Sequence, residues 1–139
     1  MELKFKEPKK KEISVDSEVA DVANELLNAA VSFHKLHLKV TGKGSFAQHK
    51  GLNEIYDSLP DSADDLVEQY QGAAEKLITI SDKAPRNLST VKEGIAYANE
   101  IKQMISSLQS KLFYSEIVNL LDETKSTLNS LKYKLLFLE

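Results

Sequence analysis

Apolar residues recur at helical spacing through almost everything after residue 17, and only five glycines and three prolines interrupt the chain. No segment alternates with period two for long enough to suggest a strand, so the pattern restricts the chain to an all-α fold. Val19, Ala23, Leu26, Ala30, Phe33, His37 and Val40 step along the sequence so that they share one helical face. Asp16 or Ser17 suits the N-cap of this helix, Glu18 and Asp21 suit its positive end, and Gly42 suits its stop. The expected span is 17–41. Ser45 with Gln48 has the capping-box pattern and opens a second helix over 45–80, with Leu52, Tyr56, Leu59, Ala63, Leu66, Tyr70, Ala74 and Leu77 as its apolar row. Pro60 falls within this row, but the period crosses it without a slip, which predicts a kinked and continuous helix.

Residues 81–88, containing Pro85, read as a connection. Thr90 with Glu93 is a second capping box, and Val91, Ile95, Ala98, Ile101, Ile105 and Leu108 predict a third helix over 90–109. After a turn at 109–114, Ile117, Leu121, Thr124, Leu128, Leu131, Leu135 and Leu138 form the cleanest heptad of the chain, predicting a fourth helix over 115–137. Four amphipathic helices with short links make a helix bundle the leading architecture. The organisation expected is a lysine-rich flexible arm over 1–14 followed by a bundle over 15–139.

A chain of 139 residues that is 42% hydrophobic can bury one real core. It has no cysteine, which excludes disulfides, zinc–thiolate sites and thiol nucleophiles together. The longest apolar run, Leu135 to Leu138, is far short of the ~20 residues that cross a bilayer. No secretory signal pattern opens the chain. No membrane association and a cytoplasmic location are therefore expected. The net charge of −3 is uneven: residues 1–12 carry Lys4, Lys6, Lys9, Lys10 and Lys11 against three glutamates. Such an arm either holds phosphate backbones by counterion release or is a solvated terminus.

All three histidines lie between residues 34 and 49. His37 is on the inward stripe of the first helix and His49 starts that of the second. With only the turn Gly42-Lys43-Gly44 between the helices, the two imidazoles can approach, and neutral imidazole ligates iron and zinc. A lone histidine on an apolar face usually completes a core, and a helical interaction protein with core histidines is the bland reading. His34 reads as a flanking polar residue. Asp57, Asp61, Asp64, Asp65 and Glu68 follow on the second helix, and Asp64 and Glu68, four apart, share a face. His49 and Glu68 are 19 residues apart, roughly 28 Å along a helix, so one chain cannot wrap both around one ion. An antiparallel copy can. If a metal site exists, the spacing favours one between subunits, with Leu27, Val31, Leu36 and Leu38 as candidate apolar contacts of a two-fold dimer.

The spacing His37, His49, Asp64, Glu68 resembles the ligand pattern of the Dps proteins, the mini-ferritins. The segment His37-Leu-Lys-Val-Thr-Gly42 resembles that family's His-Trp-x-x-x-Gly turn, and residues 131–139 look like the end of its last helix. The likeness covers most of 17–139, is sharpest over 37–68, and is greatest to short Dps-like proteins encoded by bacteriophages. It implies a ferritin-like four-helix bundle, an intersubunit ferroxidase centre, iron oxidised by peroxide or oxygen, a homo-oligomer reaching a twelve-subunit shell, and DNA binding through lysines 4, 6, 9, 10 and 11. His37, His49, Asp64 and Glu68 then bind iron, or zinc as a surrogate.

The chain also departs from that pattern. Asn53 stands where the family has an iron-binding aspartate, leaving at most a weak or outer ligand. Leu38 replaces the tryptophan. The connection between the second and third helices is short, so the family's crossover helix is expected to be reduced or missing. Two readings follow: a ferroxidase-type oxidoreductase, or a non-catalytic structural or DNA-associating bundle with a degenerate metal site.

Overall fold

A computed structural model describes residues 10–138. Four helices account for most of them, α1 (Lys10–His37), α2 (Ser45–Ala74), α3 (Val91–Gln109) and α4 (Ser115–Phe137), and there is no strand among the described residues. No helix among them is long and apolar enough to cross a membrane. The apolar rows meet in one core whose largest fully buried side chains include Phe33, Leu52, Leu59, Leu66, Tyr97, Ile101, Ile105 and Ile117. α1 packs on α2 and α3, and α4 packs on the other faces of α2 and α3, so the bundle is square in section.

Side-chain pairs give the directions. Tyr70 near the end of α2 hydrogen-bonds Asp16 near the start of α1, so these helices are antiparallel. Tyr97 of α3 bonds Glu25 and Ser107 bonds Glu18, so α3 is also antiparallel to α1. Lys134 late in α4 pairs with Glu54 early in α2. The order is therefore up, down, down, up. α2 and α3 are parallel, so the segment between them must return along the full length of the bundle.

That return segment, residues 75–90, contains no helix. It climbs α1 in register: Lys76 pairs with Asp16 at 2.8 Å, Asn28 Nδ2 donates to the Lys83 carbonyl at 2.6 Å, Ser32 Oγ to the Arg86 carbonyl at 2.7 Å, and Lys39 Nζ to the Leu88 carbonyl at 2.9 Å. The contour explains the missing helix. From Asp16 to its end at His37 α1 advances roughly 32 Å at 1.5 Å per residue, whereas the twelve steps from Lys76 to Leu88 reach at most about 40 Å fully extended. A helical segment of that length would cover only a little over half the distance.

Several boundaries differ from the sequence expectation. α1 starts at Lys10, within the stretch read as an arm, so Asp16 and Ser17 do not cap it; Asp16 instead binds Tyr70 and Lys76. Lys4, Lys6 and Lys9 lie outside the described residues, while Lys10 and Lys11 are the first two residues of α1. α1 ends at His37 rather than 41, because the chain turns through Leu38 and Lys39 before Gly42 and Gly44, both at φ 82°. Gly44, not Ser45, occupies the N-cap of α2 and no side chain caps it, so the Ser45–Gln48 box is not formed. α2 stops at Ala74, not 80. Glu75 turns left-handed at φ 55° and the Gln71 side chain accepts from the Ile78 backbone N–H, which takes Leu77 off the apolar row and leaves it exposed. Leu36 is buried beside Gly94 rather than available at the surface.

Other expectations hold. α2 runs unbroken through Pro60. Thr90 Oγ1 accepts from the Glu93 N–H at 3.1 Å, while the Glu93 carboxylate accepts from the Ser89 N–H at 2.8 Å, one residue earlier than the standard box.

Gly94 sets how closely α3 approaches α1. A Cβ there would sit 2.9 Å from Leu36 Cδ2 and 3.9 Å from Phe33 and Leu135. We expect Gly94→Val to destabilise the fold by about 1–3 kcal/mol through overpacking. Ser32→Ala, which unties the Arg86 carbonyl, should cost about 1 kcal/mol. Urea unfolding followed by circular dichroism measures both, and a Gly94→Val variant as stable as the parent would contradict the close α1–α3 approach.

Candidate metal-ligand site

The last turn of α1 and the first turn of α2 face each other across the Gly42–Gly44 turn, and this brings the histidines together. His37 is 8% exposed and His49 is exposed at the rim. Their Nε2 atoms are 2.8 Å apart and their ring centroids 3.6 Å apart. Proton positions follow from the partners. His49 Nδ1 lies 3.2 Å from the His37 carbonyl oxygen, which can only accept, so Nδ1 of His49 carries the proton. The Nε2 of neutral His49 is then a bare acceptor, and His37 Nε2–H donates to it. That leaves His37 Nδ1 without a proton, and this atom is buried with no hydrogen-bond partner.

Burial lowers the pKa of His37 below the usual histidine value, and the neighbouring His49 and His34 rings lower it further; only the His34 carbonyl favours the charged form. Burial thus favours the neutral form of His37, the form that ligates metals. His49 is already the tautomer that exposes Nε2 while its other nitrogen is anchored on a backbone carbonyl, a common support for a ligating imidazole. His37 has to move its proton from Nε2 to Nδ1 before both nitrogens can face one cation.

His34 is more than a flanking polar residue. One turn before His37, it stacks on Tyr56 with ring centroids 4.0 Å apart and planes 6° from parallel, and Tyr56 in turn meets His37 edge-on at 5.2 Å. The sequence carried a signal for this contact, since Tyr56 lies on the apolar row one helical repeat from His49. Tyr56 also donates its hydroxyl to Asn53 Oδ1 at 2.5 Å, and Asn53 Nδ2 donates to Asp57 Oδ2 at 3.2 Å. Both ends of the Asn53 amide are engaged.

Asp64 and Glu68 are exposed far down α2, beside a shallow groove formed with Leu27, Val67 and Ile80. At 1.5 Å per residue Asp64 is roughly 22 Å from His49 along the helix axis. One chain brings His37 and His49 together and leaves the carboxylates apart, and among the described residues no group of three or more histidine, aspartate or glutamate side chains is placed to hold a metal ion.

A model described as a family of unknown function, DUF5856, matches residues 37–135. The chain belongs to that family. The span matched to DUF5856 opens on His37 and contains His49, Asn53, Asp64 and Glu68, while most of α1 precedes it. No curated protein matches the chain.

Because the folded pKa of His37 lies below its unfolded value, the unfolded chain binds more protons between the two. Stability contributed by neutral His37 is full above the unfolded value near 6.5 and is lost as pH falls towards the folded one. In chelator-treated protein, the melting temperature of the parent should drop more between about pH 7.5 and pH 5.5 than that of His37→Gln. Parallel pH profiles for the two proteins would refute this.

Proposed function

We propose that the chain is a Dps-like iron-binding protein that works as a two-fold dimer at least, holding ferrous iron between His37 and His49 of one subunit and Asp64 and Glu68 of its mate. The observation that carries this reading is the converging Nε2 pair of His37 and His49, prearranged but incomplete, on the same outer α1–α2 face as the distant carboxylates. The topology supports it as well, since one long crossover linking two parallel helices is the connectivity of ferritin-like bundles. Here the crossover is an extended strap in place of a helix.

A two-fold arrangement suits the face. Leu27 and Val31 lie midway along α1, 40% and 41% exposed, with imidazoles towards one end of the face and carboxylates towards the other. Inverting a second copy about that centre sets imidazole against carboxylate twice, which is self-complementarity of the kind an isologous contact requires. Imidazole nitrogens with carboxylate oxygens are a donor set suited to iron, and zinc is a surrogate. Iron enters as substrate, giving up an electron to oxygen or peroxide. A twelve-subunit shell and DNA association through the N-terminal lysines belong to the same reading.

The second reading is a bundle with a degenerate metal site, and the engaged Asn53 amide favours it. Anaerobic titration with ferrous iron, paired with mass in solution, separates the two. The first reading expects a dimer or larger that binds about one iron per His37–His49 pair. His37→Ala/Glu68→Ala should lose that uptake and Asn53→Asp should strengthen it, each about tenfold or more in affinity. Equal uptake by parent and double variant, or a monomer at micromolar concentration, defeats the intersubunit site.

A further inference from the structure

Among the residues whose side chains are described, lysines without an ion-pair partner gather at one end of the bundle. At the end where α1 and α4 finish and α2 and α3 begin, Lys35, Lys50, Lys92 and Lys132 have no ion-pair partner among the described residues, and Lys35, Lys50 and Lys92 are exposed. At the other end Lys76 and Lys111 are paired with Asp16 and Glu18, and Lys83, partway along α1, is paired with Asp21. Of the carboxylates nearest the basic end, Glu54 is paired with Lys134, while Glu93 accepts from the Ser89 N–H and keeps its charge against the four lysines.

Aromatic rings share that basic end. Phe46 is 81% exposed, Phe137 68% and Tyr133 54%, and the rings of Tyr133 and Phe137 lie 5.8 Å apart. Gly51 of α2 packs against Lys134 of α4, which puts the first turns of α2, carrying Phe46 and Lys50, beside the last turns of α4. The overall charge of −3 does not cancel this surface. The two ends are separated by roughly 35 Å of helix, several times the Debye length of about 8 Å at physiological salt.

We propose that this basic, aromatic end of the bundle binds single-stranded nucleic acid, its lysines following the phosphates and its exposed rings stacking on unpaired bases. The surface shares its end of the bundle with His37 and His49, Lys50 being the next residue after His49, but it uses neither imidazole, none of lysines 4, 6, 9, 10 and 11, and no iron. A duplex, whose bases are already stacked, could use the lysines but not the rings. An anionic membrane would also attract the lysines. But the exposed apolar face of α4, Tyr133, Leu136 and Phe137, spans little more than one turn and is flanked by Lys132 and Lys134, far shorter than the stripe that an interfacial helix lays into lipid.

The test is fluorescence anisotropy of the full chain with a labelled ~15-nucleotide single strand, its duplex, and phosphatidylserine vesicles, from ~50 mM salt upward. We expect the single strand to bind more tightly than the duplex. Phe46→Ala/Phe137→Ala should weaken single-strand binding about tenfold while leaving its salt dependence unchanged. Replacing Lys35, Lys50, Lys92 and Lys132 with Gln should flatten the salt dependence by about 0.7 in log–log slope per lysine. Lys132 is half-buried and the other replaced side chains are exposed, and circular dichroism of each variant is the check on folding. Any of four results overturns the proposal: no retention at low salt, duplex bound as well as single strand, vesicles bound in preference to the oligonucleotide, or binding abolished by Gln at lysines 4, 6, 9, 10 and 11 but untouched by the changes at the bundle end.

Discussion

The structure depends on the burial of α1 on three sides. It packs on α2 and on α3, and it carries the extended strap along a third side through Asn24, Asn28, Ser32 and Lys39. Val19, Ala23, Leu26, Ala29 and Phe33 are wholly buried, and even the polar Ser32 is fully covered because its hydroxyl has a carbonyl to meet. An amphipathic helix with a single neighbour keeps a polar half; this one retains only a narrow strip of surface, with Leu27, Val31 and His34 along it. The parallel course of α2 and α3, and the presentation of the imidazoles at the end of α1, both follow from that arrangement.

The four helices were legible because each buries a stripe long enough for its period to be unambiguous. The continuity of α2 through Pro60 was legible for the same reason. At a proline the lost N–H is one bond, while the stripe from Leu52 to Tyr70 commits many side chains to one face. Ends were harder to read. The stop at Ala74 depends on a glutamate turning left-handed and on Gln71 catching a backbone N–H, neither of which has a composition signal comparable to glycine. Leu77 continued the apolar period by coincidence. The strap's course was not stated in the sequence either, since asparagine and serine on a helix are as often solvated as bonded to a neighbouring chain.

The approach of His37 to His49 could be inferred from two helices and a tight glycine turn. The protonation state could not, because it depends on which atoms face a carbonyl. The pair as folded makes one imidazole–imidazole hydrogen bond and one bond to the backbone, at the cost of a buried nitrogen with nothing to bind. Such an orphaned acceptor typically costs about 1–3 kcal/mol. Ligation of a cation by both Nε2 atoms would move the His37 proton to Nδ1, beside the His34 carbonyl, and thereby remove the defect. The stack of His34 on Tyr56 closes the cluster on its other side and holds the tyrosine hydroxyl on Asn53.

The strap also constrains how this molecule can change size. Its anchors run from Asp16 to Lys39, along most of α1, so the strap's length is matched to that of the helix it follows. A further turn in α1 and α2 would lengthen the bundle by about 5.4 Å, which only about two more extended residues in the strap could match. Insertions in the helices and in the connection are therefore coupled, and shortening the connection by several residues would draw α3 away from its seat on Leu36 and Phe33. A bundle whose crossover is itself a helix, with slack at both ends, has no such gauge.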